Sequence, residues 1–79
     1  MKSMYEIQQL LRRFGIFIYT GNRLGDLELM EMELKELYEM NFITLNDYQI
    51  ARLTIKKEVS DINRKNKGGG RDGKNDSWN

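Results

Sequence analysis

Apolar side chains recur along this chain at the spacing of helical faces. Met4, Ile7, Leu10, Leu11 and Phe14 fall at three- and four-residue steps, the stripe of an amphipathic helix. Ser3 with Glu6 forms a capping box ahead of it, and Gly15 stands where a left-handed terminator is needed. A second stripe, Leu27, Met30, Leu34, Leu37 and Tyr38, predicts a helix with Asp26 as N-cap, running to about Met40. Glu28 and Glu31 complement its positive end. Asn41 can terminate it in the left-handed conformation, with Phe42 and Ile43 as hydrophobic stops. Thr44 and Asp47 resemble a further cap, after which Leu45, Tyr48, Ala51, Ile55, Val59 and Ile62 mark a third helix.

Between the first two helices the period changes. Ile-Phe-Ile-Tyr-Thr at 16–20 is β-branched and aromatic, and Gly21-Asn22 is a turn dipeptide. No second segment can pair with it, and a lone strand is unstable. An extended connector, partly packed on the helices, is therefore expected. From Arg64 the apolar pattern stops, and a tail rich in Gly, Asn and Lys cannot offset its ordering entropy. The expected architecture is all-α: a three-helix bundle over 1–63 with an extended connector after the first helix, then a disordered basic tail over 64–79.

Composition narrows the chemistry. The 79 residues contain no Cys, no His and no Pro. That removes thiol nucleophiles, disulfides, histidine acid–base pairs and the usual zinc ligand sets. The longest apolar run, 16–19, is far shorter than the ~20 residues that cross a bilayer. No secretory segment opens the chain, so a cytosolic location is expected. The glycines at 68–70 lack the Lys-Ser/Thr ending of a phosphate loop, and 21–25 fails the dinucleotide fingerprint. Glu28, Glu31, Glu33, Glu36 and Glu39 read as a solvated helix face rather than a cation site. No enzyme, cofactor or metal site is expected.

Net charge is +1 overall but strongly segregated, with four bases and one acid in 1–25 and seven acids and one base in 26–47. Outside the acidic segment lie Arg12, Arg13, Arg23, Arg52, Lys56 and Lys57, together with the aromatics Phe17 and Tyr19. Cations beside aromatic faces are what sequence-tolerant binding of single-stranded nucleic acid uses. The same residues have a plainer reading. Arg12 and Arg13 complement a helix C-terminus, and Phe17 and Tyr19 can equally belong to the core. A recognition helix for duplex DNA is disfavoured, because the third helix opens with Asn46 and Asp47. Trp78 has no apolar neighbours and is taken as incidental.

Several segments together resemble the YqgQ-like family of small bacterial cytosolic proteins. They are Tyr5-Glu6-Ile7-Gln8-Gln9-Leu10-Leu11, Phe14-Gly15, Phe17-Ile18-Tyr19-Thr20-Gly21, Leu29-Met30-Glu31 and Glu33-Leu34-Lys35-Glu36-Leu37-Tyr38-Glu39. The resemblance spans about 4–58. It implies a three-helix bundle without assigned enzymatic activity and a role in binding single-stranded nucleic acid; it supplies no motif of functional residues. A shorter likeness, Leu34-Lys35-Glu36-Leu37-Tyr38 with Ile43-Thr44 and Asp47-Tyr48, is to helical-hairpin modules associated with oligomerisation. Leu29, Met32, Ile50 and Leu53 exceed what a small core requires. The alternative expectation is thus a protein-interaction or oligomerisation module, with a homodimer or a basic protein as partner.

Overall fold

The computed structural model describes residues 3–68. They form three helices, α1 (Met4–Arg13), α2 (Arg23–Glu39) and α3 (Leu45–Gly68). No strand occurs among the described residues, so the fold is an all-α three-helix bundle. No described helix is long and apolar enough to cross a membrane.

Local chemistry sets the helix ends. The Ser3 hydroxyl accepts the Glu6 amide at 3.3 Å, and the Thr44 hydroxyl accepts the Asp47 amide at 3.0 Å. Both satisfy donors that a first helical turn leaves unpaired. Two C-termini close in the same way. After α1, the Gly15 amide donates to the Arg12 carbonyl and the Ile16 amide to the Leu11 carbonyl. After α2, Asn41 donates to Tyr38 and Phe42 to Leu37. This pair of bonds requires a left-handed residue at the exit, and Gly15 (φ 77°) and Asn41 (φ 65°) supply it.

The core gathers Ile7, Leu10 and Leu11 of α1, Leu27, Met30, Leu34 and Leu37 of α2, Ile43, and Ala51 and Ile55 of α3. Tyr38 and Tyr48 stack at 4.9 Å between ring centres. Arg23 at the start of α2 meets Glu58 late in α3, so these two helices run antiparallel. Phe14 and Leu45, expected in the apolar stripes, are instead exposed; each lies at a helix end, on a groove open at the end of the bundle. Of the surplus apolar residues, Ile50 is half-buried, whereas Leu29, Met32 and Leu53 are exposed.

Two boundaries differ from the sequence expectation. The N-cap of α2 is Asn22, whose side chain accepts the Gly25 amide at 2.8 Å, and not Asp26. Asp26 lies in the first turn, only 6% exposed, and its carboxylate accepts the Thr20 amide at 2.8 Å and the Thr20 hydroxyl at 2.6 Å. A carboxylate at a helix N-terminus is favourable in itself; both donors from Thr20 converge on its Oδ1. α3 also continues through 64–68, where the tail was expected to begin. Arg64 and Lys65 are good helix formers, and Arg64 pairs with Asp61 one turn earlier. The remainder of the expected tail, 69–79 with Trp78, lies outside the described residues.

Removing the buried carboxylate should loosen the connector. Asp26→Ala is expected to cost about 2 kcal/mol, from the loss of charge-assisted bonds and the stranding of a donor. Thermal denaturation should show a fall in Tm on the order of 10 °C, with a smaller fall for Asp26→Asn, which keeps an acceptor oxygen.

Candidate nucleic-acid interface

The connector is short and alternates. Ile16 and Ile18 pack against the core, while Phe17 and Tyr19 point outward, 73% and 87% exposed. That alternation is the period of an extended backbone, in which successive side chains take opposite sides. Its two ends are tied down, by the Ile16 amide on Leu11 and by Thr20 on Asp26. Of the core and surface readings for Phe17 and Tyr19, the structure takes the surface one.

Beside these rings runs one flank of α1. The Arg12 guanidinium lies over the Phe17 ring, 6.0 Å from its centre, a distance at which a cation is attracted to the aromatic face. Gln8, Arg12, Phe17 and Tyr19 line one groove, floored by Leu11, Ile16, Ile18 and Met30. Among the described residues, the groove contains no carboxylate. Tyr5 and Gln8 were not among the residues singled out from the sequence. Tyr5 is exposed and shares the flank of Gln8 and Arg12, and the signal was the spacing i, i+3, i+7 on one helix.

The remaining candidate cations are dispersed. Arg13 follows Arg12 by one residue, about 100° round the helix, and lines a different groove with Phe14, Phe42 and Asp47. Arg23 is paired with Glu58 at 3.1 Å. Arg52 and Lys56 lie 3.3 and 3.6 Å from the same Glu31 oxygen of α2. With Lys57, these two cations were expected to extend the surface of Arg12, Arg13 and the aromatics, with the acidic helix facing away from it. Arg52 and Lys56 face the acidic helix instead, because α3 packs antiparallel along α2 and places them beside Glu31. Glu28 and Glu31 line the grooves that hold Arg52 and Lys56. Lys57 is exposed, displaced round the helix from Lys56. The structure therefore brings together Arg12, Phe17 and Tyr19, and leaves the other five candidates outside their groove.

Among the described residues, no group of three or more acidic, Cys or His side chains is arranged to hold a metal ion. The dense carboxylates of α2 are spread around the helix, with Glu31 drawn to α3.

The alternation in the connector is directly checkable. Phe17→Ala should leave the unfolding free energy within about 0.5 kcal/mol of the parent, as for an exposed residue. Ile18→Ala should cost about 1–2 kcal/mol as a half-buried residue. Chemical denaturation of the two variants measures the difference.

Comparison with known proteins places the chain in a family. The family profile YqgQ-like matches residues 1–61, which takes in all of α1 and α2, the connector and most of α3. A relative from Bacillus subtilis (strain 168), described as "Uncharacterized protein YqgQ", is 39% identical over 59 residues, covering 75% of this chain and 83% of the relative. The chain belongs to the YqgQ-like family.

Proposed function

We propose that this chain is a non-enzymatic cytosolic protein that binds single-stranded nucleic acid, with little sequence preference, through the groove between α1 and the connector. The observation that carries the reading is a carboxylate-free groove presenting one guanidinium, one amide and two exposed aromatic rings, those of Arg12, Gln8, Phe17 and Tyr19. Unpaired bases offer π-faces to rings and edges to amides, and their phosphates attract the guanidinium. Duplex DNA hides those faces. The cations held by Glu31 and Glu58 contribute little, because each already has a carboxylate partner.

The reading favours a weak, compact contact. Among the described residues only Arg12 supplies a cation inside the groove, so few counterions are released there and the groove's share of the salt dependence is shallow.

Nitrogen-15 amide NMR titration of the full chain with a short single-stranded RNA tests it. Shifts are expected at Gln8, Arg12 and 16–19, and the matching duplex should produce far weaker ones. Tyr19→Ala should weaken binding by roughly tenfold or more, the loss of one stacking platform. Arg12→Ala should reduce the logarithmic salt slope by about one. Shifts confined to α3, or none at low salt, would contradict the proposal and direct the search to a protein partner.

A further inference from the structure

The end of the bundle where α1 and α2 terminate and α3 begins carries a second surface, unrelated to the connector groove. Phe14 and Phe42, the first at the C-cap of α1 and the second just beyond α2, stack at 5.9 Å between centres. They remain 40% and 55% exposed. With Leu10 and Leu45 they line a groove whose charged members are Arg13 and Asp47. Neither charge has an ion-pair partner among the described residues. A stacked aromatic pair at the centre with unpaired charges beside it is the anatomy of a protein interface.

The charges select the occupant. A patch with one cation and one carboxylate is self-complementary under a two-fold axis that passes between them, because the axis sets the cation of each copy against the carboxylate of the other. We propose that two copies of this chain pair through this end of the bundle. Arg13 of each copy meets Asp47 of the other, and the Phe14–Phe42 pairs pack together between them.

Charge reversal tests the pairing without touching the core. Sedimentation equilibrium of the full chain over a range of concentrations should show a monomer–dimer equilibrium. Arg13→Glu alone sets carboxylate against carboxylate, and Asp47→Lys alone sets cation against cation. Each is expected to weaken dimerisation by roughly tenfold or more. An equimolar mixture of the two single variants restores both attractive pairs and should form a heterodimer close to wild-type affinity. The chain carrying both substitutions should also dimerise. Circular dichroism of each variant confirms that the helices persist. Three results would each overturn the proposal: a wild-type monomer at all concentrations, a dimer indifferent to either single reversal, or a mixture no tighter than its components. Because this groove shares no residue with the connector groove, the outcome is independent of nucleic-acid binding.

Discussion

The carboxylate of Asp26 takes both donors of Thr20, its amide and its hydroxyl, at 2.8 and 2.6 Å, and much of the molecular surface follows from that contact. At the other end of the connector, Gly15 turns the chain out of α1 and Ile16 bonds back to Leu11. Five residues held at both ends have little freedom of register. A shift by one residue would bury Phe17 and Tyr19 and expose Ile16 and Ile18, as any one-residue slip of an extended segment does. Fixing Thr20 therefore determines which side chains form the core and which form the surface.

Charge placement follows from packing in the same way. α2 carries six of the twelve acidic residues of the chain, and α3 lies antiparallel against it, so Arg52 and Lys56 answer Glu31 and Glu58 answers Arg23. These half-exposed pairs contribute little stability each. Their effect is on the field around the molecule: the α2–α3 face is locally compensated, whereas Arg12 remains opposite an aromatic ring with no carboxylate in its groove. Arg13, one residue further on and about 100° round α1, lines the groove at the bundle end. Two adjacent arginines thus serve two different surfaces.

Most of the fold was legible in the residues because its signals are local. Ser3, Gly15, Asn41 and Thr44 act within four residues of themselves, and the apolar stripes at three- and four-residue spacing name nearly the whole core. Asp26 was misread for a physical reason. Asn22 and Asp26 are both good N-caps, and choosing between them depends on whether Thr20 folds back onto the carboxylate, a contact set by tertiary packing. The connector's alternation was equally hidden, since Ile, Phe, Ile and Tyr are all apolar and no polar position marks the outer side. Of the candidate site, the Arg12–Phe17–Tyr19 group was readable as cations next to aromatics. The dispersal of Arg23, Arg52 and Lys56 was not, because it depends on how α3 packs against α2. Tyr5 and Gln8 were visible as helical neighbours of Arg12, yet a search weighted toward cations passes over them.

The Thr20–Asp26 contact holds the connector with its rings presented outward. Amide hydrogen exchange at Thr20 tests this most directly, since that amide has no helix or strand to protect it. If the contact holds, Thr20 exchanges slowly, on the scale of the core helical amides of α2. Exchange at the rate of an unstructured peptide, while α2 stays protected, would contradict the account and leave Phe17 and Tyr19 without a fixed presentation.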